Sequence, residues 1–109
     1  MKDLLNKKCV PCEGGVSPLS GPDLQDYLDE VHTWVLSSDA KKISKEFKFK
    51  NFLEAMDFVD RVADIAEEEG HHPDIHIHYN KITLELSTHA IGGLSENDFI
   101  LAKKIDVIS

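Results

Sequence analysis

The stretch EEEGHHPDIHIHYNKITLELSTH, residues 67–89, changes its period in the middle. Ahead of Gly70, apolar residues recur at helical spacing. From Ile75 onward they alternate with polar ones, which is the period of a half-buried strand. The helix that leads into this stretch covers residues 51–69. Asn51 and Glu54 stand at N-cap and N3 spacing, a variant of the capping box. Phe52, Ala55, Met56, Val59, Val62, Ala63 and Ala66 form one apolar stripe. Gly70 is placed to end the helix. Two strands are expected next, over 74–79 and 82–87, with Asn80-Lys81 as a two-residue turn. That turn pairs Tyr79 with Ile82, Ile77 with Leu84 and His76 with Glu85, and it sets Asp74 opposite Ser87.

Working outward, Ser20-Gly21-Pro22 suits the start of a first helix, because proline fits the first helical turn. Leu24, Tyr27, Leu28 and Val31 follow at helical spacing. Trp34-Val35-Leu36 reads as a short strand. After a turn, residues 43–50 read as a second strand in which Phe47 and Phe49 alternate with charge. At the far end, Ser95 and Asp98 have capping-box spacing, and Leu94 and Phe99 stand as a hydrophobic staple. The order is helix-strand-strand-helix-strand-strand-helix. This predicts an α+β fold, a four-stranded antiparallel sheet with helices packed on one face. Residues 1–19 are expected to be an irregular N-terminal arm, and residues 20–109 a single domain.

At 109 residues, the chain has room for one domain and a modest core. Twelve Lys and Arg against twenty Asp and Glu give a net charge of −8, which argues against nucleic acid as a partner. No apolar run is long enough for a membrane span. The opening MKDLLNKKCVPC lacks a signal peptide's apolar stretch, so a cytoplasmic protein is expected. Cys9 and Cys12 have C-x-x-C spacing, which is half a zinc site or a redox motif. With Pro11 between them, Glu13-Gly14-Gly15 after them and no strand before, they read as thiols of a loop-like arm.

Four of the six histidines lie within eight positions, 71–78. His76 and His78 fall on the solvated face of a strand, and His32 lies at a helix-to-strand transition. None of these three needs a special role. His71 and His72 lie between a helix end and a strand, and His89 lies just past the next strand. The hairpin brings these three to one edge of the sheet. Three histidines with a water are a known zinc set. However, adjacent side chains tend to point apart, and no carboxylate or thiol in this stretch stands at a familiar ligand spacing. Metal-free acid/base catalysis is the other reading, since imidazole titrates near neutrality.

The spacing of Glu67, His71-His72-Pro73, Tyr79-Asn80-Lys81, Ser87-Thr88-His89 and Gly93-Leu94-Ser95-Glu96-Asn97-Asp98 resembles the pterin-4a-carbinolamine dehydratase family. Trp34 also stands where that family tends to keep a tryptophan. The resemblance implies dehydration of 4a-hydroxytetrahydropterin to quinonoid dihydropterin, without metal, nucleophile or cofactor. It makes His71 and His89 the acid/base pair and has His72 bind and orient the pterin. Glu67, Pro73 and Asp98 support the site, Asp98 while capping its helix. Trp34 either lines the pocket or packs in the core. The resemblance also implies a homodimer or homotetramer. Two alternatives are a non-catalytic dimerisation partner of a transcription regulator on the same fold and a zinc-binding protein.

Overall fold

Each helix of the chain starts at a residue suited to the task. In the computed structural model, which describes residues 2–11 and 16–109, Ser20 stands at the N-cap position of α1 (Gly21–Glu30) without a side-chain capping bond, and Pro22 lies in the first turn. Asn51 caps α2 (Phe52–Glu69), its side chain accepting from the Glu54 N–H at 2.8 Å. Ser95 and Asp98 form a complete capping box at the start of α3 (Glu96–Ile108). The strands are β1 (Val35–Leu36), β2 (Ile43–Lys48), β3 (Asp74–His78) and β4 (Lys81–Leu86). They pair antiparallel in the order β1-β2-β4-β3. The helices cover the face that carries Ile43, Phe47, Ile82, Leu84 and Leu86, all buried. The other face carries Glu46, Thr83, Glu85, His76 and His78. This is the α+β architecture that the hydrophobic pattern predicts.

Two expectations need correction. The β3–β4 hairpin turns at Tyr79-Asn80, so His78 pairs with Lys81, Ile77 with Ile82, His76 with Thr83 and Asp74 with Glu85. The shift is two residues, which keeps every side chain on its expected face. The reason is tertiary. Phe49 N–H donates to the Asn80 carbonyl at 2.8 Å, and the Asn80 amide donates to the Phe49 carbonyl at 2.9 Å. These bonds tie the turn to the end of β2 and leave Tyr79 with a φ of 54°. On α2, the stripe facing the sheet is Ala55, Phe58, Val62 and Ala66. Phe52 is 49% exposed, and Ala63 lies at the surface. Phe58 selects this face because its ring packs on Phe47 and Phe49, with centroids 4.7 and 4.9 Å away.

The N-terminal segment contains a short 3-10 turn, Leu4–Asn6, with Leu4 buried in the core. It is held further along by Glu69, at the end of α2. The Glu69 carboxylate accepts from the Cys9 N–H at 2.8 Å and pairs with Lys104 of α3 at 2.7 Å. Burial pushes the Glu69 carboxyl up, but the Lys104 and Cys9 donors outweigh it and hold its pKa below the ordinary value.

Gly70 ends α2 with a φ of 68°, and a side chain built there would meet nothing within 4 Å. Gly70→Ala is therefore expected to cost the conformational term alone, about 1 kcal/mol, which thermal denaturation measures. Because the Glu69 pKa is lowered in the folded state, its contribution is complete above the unfolded value of about 4.3 and lost as pH falls through the folded value. In urea unfolding followed down through the carboxylate range, Glu69→Gln is expected to be less stable at neutral pH and to lose less on acidification.

Candidate active site

Three chain segments meet at one end of the sheet. The first is the exit from α2. There the Gly70 and His71 N–H groups both donate to the Ala66 carbonyl, at 2.9 and 3.3 Å. This closes the helix and turns His71 and His72 aside before Pro73 leads into β3. The second is the end of β4. Its inward positions Ile82, Leu84 and Leu86 are followed at the same period by Thr88, also buried. Thr88 N–H bonds the Gly93 carbonyl at 2.8 Å, and the short 3-10 turn His89–Ile91 lies within that loop. The third is the first turn of α3, with Ser95 and Asp98.

Asp98 joins the three segments. It is fully buried, and both carboxylate oxygens are used. Oδ2 accepts from the Thr88 hydroxyl at 2.8 Å and from the Ser95 N–H at 3.0 Å. Oδ1 meets His71 Nε2 at 2.6 Å. Thr88 spends its proton on Asp98, so the Ser95 hydroxyl, 2.7 Å away, donates to Thr88 Oγ1. A carboxylate is acceptor-only, so His71 donates to it through Nε2–H and its Nδ1 remains available. The short contact to a fully buried carboxylate is a strong, charge-assisted bond that fixes both ring orientation and tautomer.

His72 Nε2 meets Glu67 Oε2 at 2.5 Å, with both groups well exposed at 59% and 77%. A solvent-facing pair of this kind orients the ring and adds little stability. His89 is exposed. His71, His72 and His89, with Ser87 and Thr88, line one cleft of about 320 Å³. That is the low end of the range for small-molecule sites. The N-terminal residues Val10 and Pro11 line the same cleft, as does Asn97.

The remaining sequence-predicted residues lie around this cleft or apart from it. Pro73 is half-buried between His72 and β3 and is not among the lining residues. Trp34 is in the core, edge-on to Phe47 with centroids 6.1 Å apart, and its indole N–H donates to Asp106 at 3.1 Å. It does not line the cleft. His76 and His78 lie on the solvated sheet face, where His76 bonds Glu85 at 2.9 Å across a diagonal of the hairpin. Sequence reasoning gave no role to Thr88. The available signal was a polar residue at the next inward position after Ile82, Leu84 and Leu86. Val10, Pro11 and Asn97 gave no such signal.

Among the described residues, no three His, Cys, Asp or Glu side chains are grouped as a metal ion would require. Burial, reinforced by the Glu69 charge, pushes the Cys9 thiol up to about 12. It stays protonated near neutrality and is a poor nucleophile. Cys12, the second residue of the C-x-x-C pair, lies outside the described residues. Among the described residues, no helix is long and apolar enough to cross a membrane.

The arrangement can hold a small heterocycle between imidazoles and move protons to and from it. Comparison with known proteins gives the family. The pattern of the family described as Pterin 4 alpha carbinolamine dehydratase matches residues 17–108. The chain is 48% identical over 105 residues to a provisionally named pterin-4-alpha-carbinolamine dehydratase of Halorhodospira halophila, covering 96% of each chain. It is 47% identical over 110 residues to the mitochondrial pterin-4-alpha-carbinolamine dehydratase 2 of Arabidopsis thaliana, covering 97% of this chain and 59% of the plant protein. The crystal structure of a transcriptional coactivator/pterin dehydratase from Brucella melitensis superposes with a TM-score of 0.79 at 30% identity, covering 84% of this chain and 98% of that one. A pterin dehydratase-like protein identified as a RuBisCO assembly factor shares the fold, with a TM-score of 0.61 at 22% identity, covering 72% of this chain and 92% of that one. With matches of this extent in sequence and in fold, the chain belongs to the pterin-4-alpha-carbinolamine dehydratase family of hydro-lyases.

Proposed function

We propose that the chain dehydrates a 4a-hydroxytetrahydropterin to the quinonoid dihydropterin by metal-free histidine acid/base catalysis. The observation that carries this reading is His71, seated on a buried carboxylate and sharing a cleft with His72 and His89. In the reaction, the N5 lone pair forms the C4a=N5 bond as the C4a–O bond breaks. A proton delivered to the departing hydroxyl completes water, and the proton on N5 is taken up by a base. The sum is loss of one water with no electron transfer, so two proton-transfer groups suffice.

His71 and His89 fill those roles. His71 presents Nδ1 to the cleft, while Asp98 holds Nε2 and stabilises the ring when it carries a second proton. His89, on the neighbouring loop, is the complementary group. His72, oriented by Glu67, binds and aligns the pterin. This activity would return the pterin used by aromatic amino-acid hydroxylases, and we place it in the cytoplasm. A homodimer or homotetramer is supported by the apolar side chains α2 exposes, Phe52 at 49% and Leu53 at 71%.

A stopped-flow assay of 4a-hydroxytetrahydropterin decay tests the reading. Acceleration by the intact chain is expected to fall by about 10²-fold or more in His71→Ala and in His89→Ala. It should survive in His76→Ala and in the presence of a chelator. Equal loss in His76→Ala would sink the division of the histidines, and loss to the chelator would restore the zinc reading. Asp98→Asn is a sharper probe. Its amide oxygen can serve Thr88 and Ser95, which turns the NH2 group toward His71 Nε2. His71 must then accept there and carry its proton on Nδ1, the wrong tautomer for a base facing the cleft. The rate enhancement is expected to drop nearly as far as in His71→Ala, with native far-UV dichroism retained.

A further inference from the structure

Two side chains outside the proposed acid/base set grip the N-terminal segment, and both neighbour that set in sequence. Glu69 lies two residues before His71 and accepts the Cys9 N–H at 2.8 Å. Asn97 immediately precedes Asp98 and clasps Val10 on both sides of its backbone. Its Oδ1 accepts the Val10 N–H at 3.0 Å, and its Nδ2 donates to the Val10 carbonyl at 2.6 Å. Asn97 is 4% exposed and the Glu69 side chain 3%. Their bonds to the segment are therefore partly buried and carry more weight than surface contacts. The helix ends that orient His71 thus also place this stretch of backbone.

What they place is apolar and open to the cleft. Val10 is 64% exposed, whereas the core valines Val31 and Val62 are almost wholly covered. Val10 and Pro11 line the same cleft as His71, His72 and His89. A flat heterocycle held by its edges between imidazoles leaves a ring face that needs an apolar neighbour. With its backbone donor and acceptor both occupied by Asn97, Val10 offers only its side chain to that face.

Building on the dehydratase reading, we propose that Val10 and Pro11 form an apolar wall of the cleft against which the pterin ring lies. Asn97 and Glu69 are the positioning residues that hold this wall beside His71. The wall contributes equally to binding substrate and transition state, so its removal raises KM and leaves kcat alone.

Steady-state kinetics of carbinolamine dehydration, with melting temperatures measured alongside, test this. Val10→Ser is expected to raise KM by about three- to tenfold, with kcat changed by less than about twofold and Tm unaltered, because the side chain is exposed before substrate binds. Val10→Ile should keep the original KM. Asn97→Ala should reproduce the KM rise by freeing the wall. If Val10→Ser and Asn97→Ala both leave KM unchanged, the segment is structural only and the inference fails while the dehydratase reading stands. If the intact chain does not accelerate the reaction, both fail together.

Discussion

The buried carboxylate of Asp98 is the interaction on which this end of the molecule depends. It accepts from the Ser95 backbone in α3, the Thr88 hydroxyl after β4 and the His71 ring after α2. A carboxylate with no solvent around it is costly to bury unless its lone pairs are used, and here three donors from three segments use them. The same group completes the capping box of α3, so the fold and the site make a common demand on one side chain. Moving any of the three segments would leave a buried charge short of a partner.

Glu69 does for the N-terminal segment what Asp98 does for the histidine side of the cleft. It joins α2, α3 and that segment through Lys104 and the Cys9 N–H, and those donors outweigh its burial. Between them, Asp98 and Glu69 tie the C-terminal end of α2 to α3 with two polar anchors at the edge of an apolar core. Each anchor also reaches a wall of the cleft, Asp98 through His71 and Glu69 through the backbone ahead of Val10. The cleft therefore draws on the end of α2 and the start of α3, whose backbones are already constrained, together with the loop that carries His89 and the N-terminal segment that carries Val10.

The histidines divide according to the sheet. His76 and His78 occupy the period-two positions that face away from the core, and the Glu85 contact of His76 is a solvent-side pair. His71, His72 and His89 lie beyond the strand ends, where the pleat no longer dictates direction. For His71 and His72, partners elsewhere in the chain set the orientation of the ring. A cluster in sequence thus becomes two groups in space, and the group gathered at the cleft includes a residue well outside the dense run.

The sequence by itself determined the element order, the α+β class and the two faces of the sheet, because periods of 3.6 and 2 are local properties of the chain. It also determined the helix caps at Asn51, Gly70 and Ser95, since capping is short-range chemistry. The coming together of His71, His72 and His89 was legible for the same reason, as strand ends on a hairpin must meet. Only the tertiary structure decided the hairpin register, because bonds from Phe49 to Asn80 outweigh the preference of the turn residues. It also chose the face of α2 that is buried, through Phe58 against Phe47 and Phe49, and placed Trp34 in the core. The contacts of Thr88, Asn97, Glu69 and Val10 were likewise decided there. Each depends on a partner between 10 and 87 residues away, and no local pattern encodes a contact across that separation.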